Sequence, residues 1–194
     1  ATLARSGASI IALDITPEML REARKLYPEM GIQWLLGDVS RLPFVDAAFD
    51  LVVTRRAPHH FLDIGWALRS MASVLKHGGS LVIDDRSVPE DPFADATMNH
   101  LDKLHDRSHV REYRITEWLG MLASTGLKVT YAEMYERRRP LDSLTATAEE
   151  EDAQEIRGVV DALDEEGRRR MGIEVVGGEV MVTHWFVLLK ALKP

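Results

Sequence analysis

The sequence predicts an α/β fold built on a doubly wound sheet that is mostly parallel, with an antiparallel strand near the C-terminus. Short apolar runs of strand length alternate with amphipathic helical patterns, which is typical of parallel strands that are buried on both faces. Most of these runs end in polar residues, and ligands of open α/β sheets bind outside the carboxyl ends of the strands. A long, mostly apolar run over residues 180–189 is expected to lie inside the sheet.

The composition is that of one globular domain covering residues 1–194. The 194 residues suffice for one sizeable core, and 45% of them are hydrophobic and 28% charged. The net charge of −7 disfavours nucleic acid as a partner, because phosphate binding needs a basic face. No apolar run reaches the ~20 residues of a membrane span, and the lack of cysteine excludes disulfide and thiolate chemistry. We therefore expect a cytoplasmic protein with a small-molecule partner, and we leave its oligomeric state open.

The chain begins with a strand and a helix. Ala1 to Arg5 resemble the last turn of a helix, and residues 9–13 then form a buried strand that ends at Asp14. Thr16 can cap the helix that follows, because a hydroxyl at this position accepts hydrogen bonds from the first turn. The apolar face of this helix carries Met19, Ala23 and Leu26.

Two apolar runs come next, and each indicates a buried parallel strand: Ile32 to Leu36, and Leu51 to Val53. The polar residues after them, Gly37-Asp38 and Thr54-Arg55-Arg56, should line one crevice, because parallel strands end at the same edge of a sheet. The segment between the two runs leaves no room for a full helix.

The middle of the chain adds a helix, a strand and a polar segment. Asp63 can cap a helix with a regular apolar stripe, and Gly78-Gly79 should end it. Residues 81–83 form another buried strand, which is followed by Asp84-Asp85-Arg86. The segment 87–113 is polar and has a helical pattern in its middle.

The C-terminal part contains a helical insert and a hairpin. Thr147 and Glu150 form a capping box, which predicts a helical insert over residues 147–170. A final pair of strands over residues 173–192 turns at Gly177-Gly178.

Four segments together resemble a known family: SIIALDITPEMLREAR, GDVSRLPFVDAAFDLVV, HHFLD and LKHGGSLVIDD. They are similar to the class I S-adenosylmethionine-dependent methyltransferases, above all to the small-molecule enzymes of the ubiquinone and menaquinone biosynthesis type. The resemblance covers about residues 1–135, and the hairpin at 173–192 matches the family's antiparallel final strands. It implies a Rossmann-like fold, S-adenosylmethionine as cofactor, and O-, N- or C-methylation of a small organic substrate by direct in-line displacement.

The family's first strand and glycine-rich loop would precede Ala1, and neither is found in this sequence. The resemblance therefore implies an N-terminally incomplete domain. In the family's strand order the missing strand lies between the strands that end at Asp14 and Thr54, so two strand edges should face an empty slot. We expect a single methyltransferase domain that divides into a cofactor-binding half (1–86), a lid or substrate segment (87–113), and a C-terminal half (114–194) with the insert 147–170.

The resemblance also implies which residues bind the cofactor. Asp14 matches the acidic residue that accepts hydrogen bonds from the ribose hydroxyls, and Ile15 and Met19 match positions that pack on the adenine ring. Asp38 matches the acid that accepts from the adenine amino group, with the amide of Val39 beside it. The methionine end of the cofactor would be lined by Thr54 and Arg55.

The substrate is expected beyond the methionine end. Arg56, Asp85 and Arg86 are the candidates for binding it, because they follow the ends of the same strands. His59 and His60 lie where such enzymes meet the substrate, and a histidine near its unperturbed pKa suits removal of the acceptor's proton. The sequence does not distinguish between these two candidate catalytic residues.

A metal site is a further reading of the polar segment, and we do not adopt it. Carboxylate and imidazole side chains there could hold a divalent cation. No ligand motif accompanies them, and polar lid helices often carry such residues, so no metal is expected. The side chains concerned are His100, Asp102, His105, Asp106 and His109.

Two other functions stay open at this point. A short-chain dehydrogenase also places an acid after its second strand, but it needs a tyrosine and a lysine four residues apart. None of the four tyrosines is followed by lysine at that spacing. The other alternative is a non-catalytic fragment that kept the fold and lost the cofactor, in which Asp14 and Asp38 would have little reason to follow their strands.

Overall fold

The computed structural model describes residues 3–194 and contains two β-sheets with helices packed on them. The strands are β1 (Ile11–Asp14), β2 (Gln33–Leu36), β3 (Phe49–Arg55), β4 (Leu75–Val88), β5 (Tyr113–Arg114), β6 (Lys128–Pro140), β7 (Glu174–Val176) and β8 (Glu179–Leu192). The helices are α1 (Pro17–Leu26), α2 (Ile64–Val74), α3 (Pro92–His105), α4 (Ile115–Ser124), α5 (Asp142–Thr145), α6 (Glu150–Ala162) and α7 (Glu165–Arg170). In the part of the chain described, none of these helices has the length and apolar character needed to cross a membrane. The helical turn predicted over Ala1 to Arg5 lies partly outside the described residues, and Ala4–Ser6 forms a short 3-10 helix.

Strand β8 is antiparallel to all of its neighbours and lies in the middle of the larger sheet. This sheet has the order β3-β4-β8-β6, with β5 beside β4 and β7 beside β8. Strands β3 and β5 are parallel to β4, whereas β8 is antiparallel to β4, β6 and β7. The prediction of a mostly parallel sheet with an antiparallel C-terminal strand is therefore confirmed, and the apolar run 180–189 lies inside the sheet as expected.

The smaller sheet consists of β1 and β2, which are parallel. Among residues 3–194, β1 pairs only with β2, and β3 pairs only with β4. Both β1 and β3 thus have an edge without hydrogen-bonded neighbours in the described part of the chain. These two edges are the ones that the resemblance places on either side of an empty slot.

Two apolar clusters hold the helices to the larger sheet. The first lies between the sheet and helices α2 and α4, and the second joins the far ends of β4 and β8 to α3 and α6. Burial of each large apolar side chain stabilises the fold by about 1.5–3 kcal/mol, so these clusters fix where the helices lie. The first contains Leu68, Leu81, Ile83, Trp118 and Leu189, and the second Val88, Met98, Ile156, Val182 and Trp185.

Helix α2 is shorter than the sequence predicts. Asp63 caps it as expected, because its carboxylate accepts from the Trp66 N–H at 2.7 Å. The helix ends at Val74, however, and not at Gly78-Gly79. Leu75 already belongs to β4, where it pairs with Phe49 of β3 and is fully buried. Strand pairing and burial of Leu75 thus outweigh the helical pattern of the following residues.

The predicted helical insert over residues 147–170 consists of two helices, α6 and α7. The N-cap of α6 is Glu149, so the capping box predicted at Thr147 and Glu150 is not formed. Asp164 begins α7, and its carboxylate accepts from the Gly167 N–H at 2.7 Å. An N-cap carboxylate inside a helical pattern favours the start of a new helix, which explains the interruption.

A buried polar network lies where β4 passes from the first apolar cluster to the second. The Arg86 guanidinium in β4 donates hydrogen bonds to Asp102 of α3 and to Glu112, which precedes β5. It also donates to Nδ1 of His184 in β8 at 3.1 Å. All three partners are almost completely buried, so this network joins α3 and the segment before β5 to the sheet.

Burial sets the charge states around this network. Burial, reinforced by the charge of Arg86, lowers the pKa of His184 to about 4. Burial likewise lowers the pKa of the nearby His109 to about 4. Burial and Asp102 raise the pKa of Glu112. Burial also acts to raise the pKa of Asp102, but Arg86, Glu112 and His184 together outweigh it and the pKa is lowered. Both histidines are therefore neutral at pH 7.

We expect the free energy of unfolding to fall as the pH drops from about 6.5 to about 4. The unfolded chain protonates His109 and His184 near their model value of 6.5, but the folded chain does so only at about 4. The unfolded state thus binds more protons in this window, and each histidine lowers the stability by at most ~1.4 kcal/mol per pH unit. The raised pKa of Glu112 acts in the opposite direction, so the effect must be isolated with variants.

Urea unfolding between about pH 7 and pH 4.5 measures this effect. His184→Gln keeps an acceptor for Arg86 and should reduce the dependence of stability on pH. His100→Gln is the control, because this histidine is about half exposed and pairs with the half-exposed Glu155. An equal dependence in wild type and His184→Gln would contradict the prediction.

Candidate functional site

Two carboxylates lie next to each other at the carboxyl ends of β1 and β2. Asp14 is opposite Leu36 in the strand register, and its carbonyl oxygen accepts from the Gly37 N–H at 3.0 Å, so Asp38 follows directly. Oδ1 of Asp14 accepts from the Thr16 N–H and Oδ1 of Asp38 from the Ser40 N–H, both at 2.8 Å. Each carboxylate keeps a second oxygen that has no hydrogen-bond partner among residues 3–194, and each can accept from a ligand.

Apolar side chains surround these two carboxylates and remain exposed. Ile15 and Met19 keep 66% and 58% of their surface accessible, although both are large and apolar. Leu36, at the end of β2, is also more than half exposed. Val39 instead packs against the first apolar cluster, which fixes the turn that follows Asp38. Exposed apolar surface beside two acceptor groups fits a planar ring with hydrogen-bond donors at its edge, as in a nucleoside.

The end of β3 carries one buried and two charged residues. Thr54 is buried, and Arg55 pairs with Asp84 of β4, with Nε and Oδ2 separated by 2.9 Å. Arg56 adopts a left-handed backbone with φ of 53°, and its N–H donates to the Asp84 carbonyl at 2.9 Å. A positive φ is unusual for arginine and turns the chain sharply into the 3-10 helix Pro58–His60.

His59 and Asp85 form a hydrogen-bonded pair at the end of β4. Nδ1 of His59 lies 2.7 Å from Oδ1 of Asp85, and the His59 N–H donates to Oδ2 at 2.8 Å. Because a carboxylate only accepts, Nδ1 carries a proton, and in the neutral ring Nε2 then has a free lone pair. Nε2 has no hydrogen-bond partner in the described part of the chain. Asp85 is fully buried and His59 largely so, and this holds the ring in one orientation.

His60 lies against His59 but faces a different set of partners. The two ring centroids are 4.0 Å apart, and Nδ1 of His60 is 3.0 Å from the Ser108 hydroxyl. Nε2 of His60 is 4.0 Å from Asp106, and about a third of the side chain is exposed. Burial and the neighbouring His59 lower the pKa of His60. The ring of His59 is thus held in one orientation, whereas His60 lies beside it and is partly exposed to solvent.

Asp85 and Arg86, which the sequence suggests as substrate-binding residues, face inward. Asp85 is fully buried and holds His59, and Arg86 is largely enclosed by Asp102, Glu112 and His184. Both side chains therefore act through neighbouring residues, and neither carries an open polar group toward a ligand. The two side chains point to opposite faces of β4, and each is enclosed by tertiary contacts on its own face.

The opposite face of the β4 end holds a second cluster that sequence reasoning did not find. The Tyr135 hydroxyl of β6 donates to Oδ1 of Asp84 at 2.7 Å and accepts from Nη2 of Arg56 at 2.7 Å. Burial acts to raise the pKa of Asp84, but the hydrogen bonds from Tyr135 and Arg55 outweigh it and the pKa is lowered. Tyr135 lies 79 residues beyond Arg56 in the chain, so no local pattern could have indicated the contact.

The polar residues of the segment 87–113 do not assemble into a metal site. Within residues 3–194, no three histidine or carboxylate side chains converge as ligands of one ion. Asp102 binds Arg86, His105 binds the Leu144 carbonyl at 2.8 Å, and His109 binds Asn99 at 3.1 Å. These contacts hold α3 in place.

The strand order and the mixed sheet match the Rossmann-like α/β fold of solved methyltransferase structures. Residues 1–83 match the family model described as Methyltransferase domain. It is 40% identical to the methyltransferase YcgJ of Bacillus subtilis over 120 residues, which are 60% of this chain and 47% of YcgJ. It is 36% identical to the protein YafE of Escherichia coli over 132 residues, which are 65% of this chain and 62% of YafE.

Solved structures have the same fold as this chain. A crystal structure from Bacillus halodurans C-125 superposes with a TM-score of 0.90 at 28% identity, covering 96% of this chain and 84% of the other. The structure of YcgJ superposes with a TM-score of 0.88 at 29% identity, covering 95% of this chain and 82% of the other. In the sequence matches, the chain spans about half to three-fifths of the length of YcgJ and YafE.

We expect Asp85→Asn to change the tautomer of His59. An asparagine amide would present an N–H to Nδ1, so Nδ1 would accept and the proton would move to Nε2. Nitrogen-15 NMR of the imidazole rings distinguishes these two tautomers directly. Asp106→Asn is the matched control, because its carboxylate faces His60 at 4.0 Å. A wild-type ring already protonated on Nε2 would rule out the pairing described here.

Proposed function

We propose that this chain is the catalytic domain of a methyltransferase that uses S-adenosylmethionine to methylate a small organic substrate. The observation that carries the proposal is the pair of neighbouring carboxylates, Asp14 and Asp38, each with one oxygen to spare. This is the arrangement that a nucleoside needs, because the ribose hydroxyls and the adenine amino group are hydrogen-bond donors.

The residues after β1 and β2 fit the nucleoside half of the cofactor. Asp14 would accept from the ribose hydroxyls and Asp38 from the adenine amino group. Ile15 and Met19 offer exposed apolar surface to the ring, and Val39 holds the backbone beside it. Thr54 and Arg55 lie at the end of β3, on the way from the nucleoside to the histidines, and would line the methionine end.

S-adenosylmethionine, when bound, supplies a methyl group that is already activated by its positive sulfur. The protein's main task is then to hold the acceptor in line with this group and to keep water away. Helix α3 and the segment around it, residues 87–113, are the proposed cover over the acceptor.

We assign His59 as the base that removes the acceptor's proton. Asp85 fixes the ring so that the lone pair of Nε2 is the available acceptor of a proton. The ring of His60 lies against that of His59, and hydrogen bonds join His60 through Ser108 to Asp106. The proton can leave toward the surface through these residues. The acceptor is therefore an O–H, N–H or acidic C–H group.

Calorimetric titration with S-adenosylhomocysteine tests the cofactor assignment. We expect Asp14→Asn and Asp38→Asn each to weaken binding by about tenfold or more, because each removes a hydrogen bond to a charged group worth about 1.5–3 kcal/mol. Asp50→Asn is the control, since Asp50 lies at the other end of β3 and pairs with Lys76. Equal affinities in all four proteins would contradict the assignment.

Release of S-adenosylhomocysteine over a panel of small acids and phenols tests the catalytic assignment. We expect His59→Gln to lower kcat by about a hundredfold or more, the usual contribution of a positioned base. His60→Gln should lower it by less than about tenfold, because it removes only part of the exit path. A larger loss in His60→Gln than in His59→Gln would reverse the roles.

A further inference from the structure

The geometry points to an acceptor that carries a carboxylate, held by the guanidinium of Arg56. This inference rests on the proposed methyl transfer and names the class of its substrate. It starts from the cluster on the face of β4 opposite His59, which consists of Arg55, Arg56, Asp84, Tyr135 and Phe186.

The guanidinium of Arg56 is held flat and in one place. Its Cζ lies 3.7 Å from the centroid of the Phe186 ring in β8, and this ring stacks on Tyr135 of β6 at 5.2 Å. Nη2 donates to the Tyr135 hydroxyl at 2.7 Å and lies 3.3 Å from Oδ1 of Asp84. Stacking and two polar contacts thus leave the arginine few alternative orientations, as in sites that recognise planar anions.

One side of this guanidinium lacks an acceptor. Nη1 of Arg56 is buried and has no hydrogen-bond partner within residues 3–194. Buried donors in proteins almost always have a partner, so an unpaired one calls for an explanation by a ligand or water. The side chain as a whole keeps 26% of its surface exposed, so Arg56 lies near the surface of the protein.

The charges of the cluster do not balance. Arg55 and Arg56 share a single carboxylate, Asp84, so one positive charge remains uncompensated. The hydroxyl hydrogen of Tyr135 is used on Asp84, so Tyr135 meets Arg56 only as a neutral acceptor. A further arginine, Arg137, lies with its Cζ 5.7 Å from the Tyr135 ring. An anion is therefore the ligand that this surface favours, in a chain whose net charge is −7.

The position of the cluster favours the acceptor over the methyl donor. The nucleoside carboxylates belong to β1 and β2, whereas Arg56 reaches from β3 across β4 to β8 and β6. With strands about 4.8 Å apart, its guanidinium lies roughly two strand spacings from β3, over β8. Arg56 is also close in the sequence to the proposed base, His59, which follows three residues later.

Two adjacent residues of β4 connect Arg56, the proposed carboxylate-binding residue, with His59, the proposed base. Asp84 holds Arg56 on one face of β4, and Asp85 holds His59 on the other. An organic acid bound by Arg56 would have to extend past the end of β4 to bring its reactive group to Nε2 of His59. This requires a carboxylate and a methylated O–H, N–H or C–H group within one small molecule.

The first experiment titrates the protein with salicylate and with salicylamide at constant ionic strength. The two probes share ring and hydroxyl and differ in the carboxylate. Carbon-13 NMR of labelled arginine Cζ should report a shift of the Arg56 resonance with salicylate and none with salicylamide. Arg56→Gln should weaken salicylate binding by about ten- to a hundredfold, the range of a charge-assisted pair. An unshifted Arg56 resonance, or equal responses to both probes, overturns the inference.

Two further variants guard against trivial results. Arg138→Gln is the matched control, because Arg138 is a surface arginine of the same strand as Tyr135 and pairs with Glu174 at 2.8 Å. It should bind salicylate as wild type does. Arg56→Lys keeps the charge and helps to preserve the fold, and it should bind salicylate more weakly than wild type because lysine lacks the planar fork. Equal binding by Arg56→Lys, Arg56→Gln and wild type overturns the inference.

The second experiment tests whether Arg56 binds a carboxylate of the acceptor or the carboxylate of the methyl donor. S-adenosylhomocysteine carries an amino-acid end, and methylthioadenosine lacks it. We expect Arg56→Gln to bind both as wild type does. A selective loss of S-adenosylhomocysteine binding would assign Arg56 to the methyl donor and overturn the inference. If wild type bound neither nucleoside, the proposed function would fail, and the salicylate titration would still decide whether Arg56 binds carboxylates.

Discussion

The parallel pairing of β3 with β4 is the constraint on which the candidate site depends. Its register places Arg55 opposite Asp84, and the end of β4 then continues with Asp85 and Arg86. Because successive side chains of a strand point to opposite faces, Asp85 points away from the face that Asp84 and Arg86 share. Asp84 holds the arginines after β3, Asp85 orients His59, and Arg86 ties α3 to the sheet. A shift of this register by one residue would exchange the faces and disrupt all three functions together.

The hydrogen-bonded network around Arg86 holds the segment 87–113 in place at a point where the apolar core is not continuous. Two apolar clusters lie on either side of it, and Arg86 joins them through Asp102 and Glu112. Buried ion pairs add little net stability, because desolvation offsets the attraction, but they favour one arrangement over others. The segment 87–113 is thereby held in a defined position relative to β4, as the proposed cover would need.

Much of the fold could be predicted from the sequence, because the strands are marked by local apolar runs and the helices by caps and regular stripes. The positions of β2, β3 and the C-terminal hairpin follow from such patterns, and the places of Asp14 and Asp38 follow from the strands before them. The end of α2 was predicted wrongly, since pairing of Leu75 with Phe49 is a tertiary effect. The inward direction of Asp85 and Arg86 depends on strand phase, and the role of Tyr135 depends on a contact between distant parts of the chain.

The distinction between the adjacent histidines illustrates what structure adds to residue type. Both residues are histidines of the same short 3-10 helix, and the sequence alone does not distinguish between them. Only His59 bonds to a buried carboxylate through both its backbone and its ring, so only its tautomer and direction are fixed. His60 bonds to a partly exposed hydroxyl and has a lowered pKa because of burial and its neighbour, so it is uncharged at neutral pH. A neutral, less constrained ring beside an oriented one suits the passage of protons, whereas the oriented ring suits the step in which direction matters. The roles proposed for the two histidines thus rest on the contact of Asp85 with His59 and not with His60.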